Sequence, residues 1–222
     1  MSPSALLLCL IPIGYVLGSI PFGLIVGLAK GIDPRTAGSG NIGATNVGRL
    51  LGRRFFFLVF FLDLLKSFLP MLIASYLVHR IPPAERNWLV YLEWLGVGAA
   101  AVFGHMFSLF LGFKGGKGVS ASAGVMLGLI PYYTLPGILG VGVFLTVLKT
   151  TRYVSLASMI GAASFPIFYL AIGLAMGWPV LGSQLPLLVF GAVMVMLIIY
   201  RHRTNISRLR AGTESRVGSK AA

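Results

Sequence analysis

VSASAGVMLGLIPYYTLPGILGVGVFLTVL, residues 119–148, is an apolar run interrupted only by PYYTLP at 131–136. Its reading decides the fold. A single kinked helix would cross a bilayer once, since about 20 apolar residues suffice. Two short helices hinged at 131–136 would enter and return. Periodicity does not separate these, because both are apolar all round. Charge does. Every Lys and Arg except Lys66, Arg80 and Arg86 lies in 30–54, 112–118, 149–152 or 201–222. Basic residues collect in cytoplasmic loops, so the four segments belong on one side and the 119–148 run must return to the side it left.

The expected fold is therefore an all-α integral membrane protein with seven transmembrane helices, two of them short and hinged at 131–136. The N-terminus lies outside and the C-terminus in the cytoplasm, with Lys30, Lys149 and Lys220 all facing the cytoplasm. The whole chain, 1–222, forms one polytopic domain. The remaining helices fall at 5–29, 55–78, 88–111, 154–176 and 185–200. The first is bent at GSIP, 18–21, where Pro21 removes a backbone donor.

Composition supports this reading. Of 222 residues, 57% are hydrophobic and 10% charged, with a mean hydropathy of +0.90; soluble domains carry about 25% charged residues. The apolar runs are too long for barrel strands. The net charge of +13 is a topology signal and not a nucleic-acid footprint, so the partner is membrane lipid, with no nucleic acid. The lone Cys9 excludes an internal disulfide or a cysteine metal cluster. The first apolar run lacks a basic start and a cleavage site, so it reads as a retained helix. No inverted repeat of the transporter kind is visible.

The polar residues stand out against this background. GSGNIGATNVGR, 38–49, combines glycines with Ser39, Asn41, Thr45, Asn46 and Arg49. A glycine-rich run exposes backbone N–H groups, and beside an arginine it suits phosphate or carboxylate. Small polar residues also make plain turns, but a connector does not need four hydrogen-bonding side chains and an arginine. FKGGKG, 113–118, looks like a nucleotide P-loop and fails the pattern, with Leu111 at the first glycine and Gly118 after Lys117. What remains is a glycine loop with Lys114 and Lys117, suited to a phosphate without a metal. TTRYVSLAS, 150–158, puts Arg152 at the membrane edge before Ser155 and Ser158, though such serines often bond their own helix.

Within the membrane, Asp63 and Lys66 are spaced i, i+3 and can pair on one helix face. His105 has no neighbouring His or Cys in sequence and reads as a packed imidazole. In the tail, His202, Asn205 and Arg208 recur every three residues and would share one side of a continued helix. Carboxylates are scarce and unpaired, and HxxH, CxxC and GxSxG are absent. No metal and no cofactor is expected.

GSIP, GSGNIGATNVGR, GHMFSLFLGFKGGKG (104–118), RYVSLAS (152–158) and HRTNISRLRAGTE (202–214) together resemble the bacterial membrane acyl-phosphate:glycerol-3-phosphate acyltransferase family. The resemblance runs through all the polar loops in order. It implies transfer of a fatty acyl group from acyl phosphate to the 1-position hydroxyl of glycerol 3-phosphate, giving lysophosphatidic acid and phosphate. It also implies a seven-helix protein of the bacterial inner membrane whose site faces the cytoplasm. By matching motif, Ser39, Arg49, Lys117, His202 and Asn205 become the catalytic candidates. The matching motifs also give Lys114, Gly115, Gly116, Gly118 and Ser155 as substrate- and phosphate-binding candidates and Glu214 as a support; the anion-loop reading of 38–49 adds Gly38, Gly40, Asn41, Thr45 and Asn46, and Asp63 with Lys66 is a structural ion pair or a functional one. Four positions depart from the family pattern: Ser108 replaces Pro, Ser120-Ala121 replaces Ala-Thr, and Ser67 replaces Gly. None is charged, so they bear on helix geometry.

The reaction suits the residues. Two phosphorylated substrates explain two cationic glycine loops, and the acyl chain explains the membrane. Acyltransferases of the other common type resemble one another in an HxxxxD pair, but the residues five after His79, His105 and His202 are Ala84, Phe110 and Ser207. The donor phosphate can itself take the proton. A carrier of organophosphates would need polar residues on the outer side, which are nearly absent, and a lipid-binding subunit would not need Ser39, Asn41 and Asn46 in one loop.

Overall fold

The computed structural model describes residues 2–217; Lys220 lies outside the described residues. Among those residues the regular structure is entirely helical. The chain forms two compact units, one ending at Ile130 and the other beginning at Pro131.

In the first unit, α1 (Pro3–Ser19) starts on Ser2, whose hydroxyl accepts from Ala5 N–H, and stops before Pro21. α2 (Phe22–Leu28) resumes beyond it, so the GSIP bend is a true break between two helices. α3 (Ala44–Leu51) lies inside the stretch expected to be loop, and α4 (Arg53–His79) follows after Gly52. α5 (Trp88–Met106) is capped by Asn87, which accepts from Leu89 and Val90 N–H. α6 (Val119–Gly128) closes the unit. Small residues let these backbones touch, as in other membrane bundles. A Cβ on Gly18 would strike the Ala101 backbone, one on Gly104 the Tyr15 carbonyl, and one on Gly124 the Leu64 carbonyl. Ser75 donates its hydroxyl to the Gly128 carbonyl across the α4–α6 contact.

In the second unit, α7 (Thr134–Thr151), α8 (Val154–Ala175) and α9 (Leu185–Arg201) are followed by α10 (Arg203–Arg210). Tyr133, Phe165 and Tyr169 stack edge-to-face, with ring centroids 4.6 and 5.4 Å from Tyr133, and the Tyr133 hydroxyl donates to the Leu187 carbonyl.

The 119–148 run is two helices, with the turn at 129–133, earlier than the expected 131–136. α6 is short, at 10 residues, but α7 has 18 and is long enough to span. Pro136 sits in the first turn of α7, where its missing N–H has no intrahelical partner to lose, so the helix begins ahead of it. Among the described residues, five segments, 3–28, α4, 88–111, α7 and α8, are long and apolar enough to cross a membrane. α9 falls just short at 17 residues and meets α10 at a 56° bend.

Candidate active site

The first unit carries two of the polar stretches. In 38–49, the buried Asn46 holds the loop together. Its Nδ2 donates to the carbonyls of Pro34 (3.0 Å), Ala37 (3.0 Å) and Asn41 (2.9 Å). Its Oδ1 accepts from Ser39 N–H at 2.8 Å. Expected as a phosphate ligand, Asn46 here shapes the loop. Asn41 accepts from Gly43 N–H at 2.9 Å and leads the chain into α3. Gly38 and Gly40 have φ of +60° and +69°, which glycine alone adopts cheaply, and a Cβ on Gly38 would also strike Asn46. Ser39 is exposed in this loop. Thr45 lies in the first turn of α3, and Arg49, also exposed, in its last.

The 112–118 loop sits on the end of α5. Gly116 N–H donates to the His105 carbonyl at 3.1 Å. Cβ atoms on Gly115 and Gly116 would strike the His105 carbonyl and ring, and one on Gly118 would strike Met106. Gly118, at φ +86°, caps α6 directly after Lys117. The lysine is thereby delivered to a helix N-terminus, where exposed N–H groups and the helix dipole favour an anion. Lys114 is exposed one turn away, outside that packed segment.

Deeper in the unit, Lys66 Nζ lies 2.7 Å from Asp63 Oδ1, with both side chains almost fully buried. The expected pair is formed.

In the second unit the polar groups converge on Glu214. Its Oε1 accepts from Ser155 Oγ at 2.7 Å and from Asn205 Nδ2 at 2.6 Å. Its Oε2 accepts from Arg208 Nε at 2.7 Å. Burial alone would raise the Glu214 carboxyl; the hydrogen bonds from Arg208, Ser155 and Asn205 outweigh it and hold the group below its ordinary value. The buried His202 turns Nδ1 to the Ile198 carbonyl at 2.8 Å. A carbonyl only accepts, so Nδ1 carries the proton. Asn205 and Arg208 share one side of α10, as their spacing foretells. Ser158 bonds its own helix at the Val154 carbonyl, 2.8 Å away. Tyr153 and Arg216, which the sequence did not single out, extend this docking: Arg216 Nε donates to the Tyr153 hydroxyl at 3.0 Å, and Val217 N–H to the Arg152 carbonyl at 2.8 Å. Their only signal in sequence is a basic tail following an arginine–tyrosine pair.

Spanning helices whose polar groups gather at helix ends and glycine loops, apart from the buried Asp63–Lys66 pair, define an integral membrane protein. The family model for glycerol-3-phosphate acyltransferase matches residues 7–212. The glycerol-3-phosphate acyltransferase of Geobacter sulfurreducens is 42% identical, over 94% of this chain and 96% of its own. That of Aquifex aeolicus is 43% identical, over 94% and 98%. A crystal structure of PlsY, an integral membrane glycerol 3-phosphate acyltransferase, in its glycerol 3-phosphate form superposes with a TM-score of 0.81 at 41% identity, covering 96% of both chains. The lysophosphatidic acid form gives 0.77 at 40% identity. The chain belongs to the glycerol-3-phosphate acyltransferase family; it is an acyltransferase of phospholipid synthesis.

Proposed function

We propose that the chain transfers a fatty acyl group from acyl phosphate to the 1-position hydroxyl of glycerol 3-phosphate. The products are lysophosphatidic acid and phosphate, and no metal or cofactor takes part. The observation that carries this reading is the 112–118 loop. Its glycines pack so closely on His105 and Met106 that side chains are excluded, and it presents Lys117 beside the N-terminus of α6. That is a seat for phosphate. The related structures with glycerol 3-phosphate and lysophosphatidic acid support the acceptor and product.

In the reaction, the acceptor hydroxyl oxygen attacks the acyl carbonyl carbon. The bond from that carbon to the phosphate oxygen breaks, and the departing phosphate takes the hydroxyl proton. The leaving group serves as base, so the chain supplies position and charge. Arg49 and Lys117 neutralise the phosphates, assisted by Lys114. Ser39, Asn41 and Thr45 orient the acceptor with the backbone of Gly38 and Gly40. Within the second unit, His202 and Asn205 at the head of α10 are further catalytic candidates, with Ser155 sharing the Glu214 carboxylate that supports Asn205. The chain crosses the inner membrane seven times, with α6 as a short member, the N-terminus outside and the site facing the cytoplasm.

The test gives purified protein glycerol 3-phosphate with acyl phosphate, acyl-CoA or acyl carrier protein in turn, with and without excess EDTA. Mass detection of lysophosphatidic acid from acyl phosphate alone, undiminished by EDTA, is expected. Comparable turnover of acyl-CoA contradicts the donor, and an EDTA loss restored by Mg²⁺ contradicts the metal-free site.

A further inference from the structure

The buried Asp63–Lys66 pair has neighbours on three other elements. Lys66 Nζ also donates to the Ile20 carbonyl at 2.7 Å, at the break between α1 and α2, and lies 5.7 Å from the centre of the Phe22 ring. The adjacent Gly23 packs against the Ile42 carbonyl, within the 38–49 stretch. From the end of α5, His105 Nδ1 stands 3.6 Å from the same Asp63 oxygen. On the other edge of that ring lies the 112–118 loop, since a Cβ on Gly116 would overlap Nε2. The His105 carbonyl holds the Gly116 N–H as well, at 3.1 Å. One buried carboxylate therefore faces the 112–118 loop through His105, and its partner Lys66 faces the α1–α2 break.

We propose that His105, oriented by Asp63, is a positioning residue that sets the height of Gly116 and hence of Lys117. Both ring nitrogens are turned toward protein, Nδ1 to Asp63 and Nε2 to the Gly116 backbone, which is why positioning and not proton transfer is assigned to it. Asp63 faces the ring at 3.6 Å, as a charge and not as a hydrogen-bond acceptor, and is itself pinned: Lys66 pairs with it, and Lys66 is tied to the Ile20 carbonyl. In an interior from which water is excluded, such a charge cluster has one good arrangement, so it makes a stiff support. At Gly115 and Gly116 the loop has no side chains of its own to lock its position. His105 supplies the lock from beneath, by its ring and by its carbonyl. This inference rests on the reading of 112–118 as a phosphate loop.

A double-mutant cycle on the full chain in lipid nanodiscs tests it, using His105→Ala, Lys117→Ala and the pair, with kcat and KM for glycerol 3-phosphate and the melting temperature measured for each. If His105 acts through Lys117, His105→Ala lowers kcat/KM by about 10- to 100-fold, as misplacement of about 1 Å does. The pair then falls no further than Lys117→Ala alone. His105→Asn, which keeps a nitrogen donor toward Asp63, recovers part of the loss, and it replaces His105→Ala in the cycle if that variant does not fold. Losses that multiply in the pair overturn the proposal, as does wild-type activity in folded His105→Ala beside a crippled Lys117→Ala. Full activity in Lys117→Ala instead removes the phosphate-loop reading and the positioning role with it.

Discussion

In the first unit, the 38–49 and 112–118 loops are held by backbone partners: the carbonyls around Asn46, the His105 carbonyl, and glycines with no room for a side chain. In the second unit, Ser155, Asn205 and Arg208 are gathered by a single carboxylate, Glu214. The difference separates two kinds of fragility. Backbone-held loops fail when atoms are added, because a Cβ on Gly115 would meet the His105 and Met106 carbonyls and one on Gly116 a buried ring. A carboxylate-held cluster fails when charge is removed, and so it answers to pH.

The largest expected effect tests whether the backbone-held loops serve substrate at all. Lys117→Ala and Arg49→Ala should each lose about 2–4 kcal/mol in kcat/KM with the fold intact, the loss typical of charge-assisted contacts in a shielded site. Steady-state kinetics beside a thermal melt distinguishes this from unfolding. Wild-type rates in either variant would remove that loop from the site.

Next comes the steric prediction. Gly116→Leu must displace the His105 ring, at about 1–3 kcal/mol of packing strain, and should raise the KM for glycerol 3-phosphate. An unchanged KM would reduce the loop to a turn, and the contrast between the two regions would lose one side.

The carboxylate cluster predicts a milder, pH-linked effect. Glu214→Gln keeps the shape and loses the charge, weakening tail docking by about 1–2 kcal/mol. Hydrogen exchange over 210–217 should rise in this variant at neutral pH. In the wild type, the Glu214 carboxyl is held below its ordinary value, so its contribution is complete above the unfolded value of about 4.3. It is lost as pH falls through the lowered folded value. Protection that persists unchanged through that acid window would mean the tail is held by something other than Glu214.

The smallest effect separates two serines on α8. Ser158 bonds its own helix, and its change to Ala should stay within about 0.5 kcal/mol. Ser155, which reaches Glu214, should cost more. Equal melting temperatures and equal tail exchange in the two variants would erase the distinction.

Much of this was legible in the sequence, for reasons that differ by element. Long apolar runs announce spanning helices because lipid demands them, and Pro21 announces the break after α1 because it has no donor. The Asp63–Lys66 pair is local, at i, i+3, and a helix makes it inevitable. α3 and α10 were not legible as separate helices, since each has 8 residues and depends on tertiary contacts. The early turn at 129–133 was missed because Pro136 reads as a breaker unless it is known to fall in a first turn. The union of Asp63, His105 and Gly116 joins α4, α5 and a loop, and nothing in local pattern encodes it. Glu214 was recognisable as a support only by resemblance, because a lone acid in a basic tail has many possible partners.

The measurement that bears most directly on the mechanism asks whether the protein itself is ever acylated. Purified enzyme turning over acyl-labelled acyl phosphate and glycerol 3-phosphate would be quenched in acid on the millisecond scale, and the protein separated from lipid. Direct transfer between two positioned phosphates predicts label in lysophosphatidic acid and none bound covalently to the chain. Stoichiometric label on Ser39 would contradict it, making that serine a nucleophile and the loops accessories to a two-step reaction.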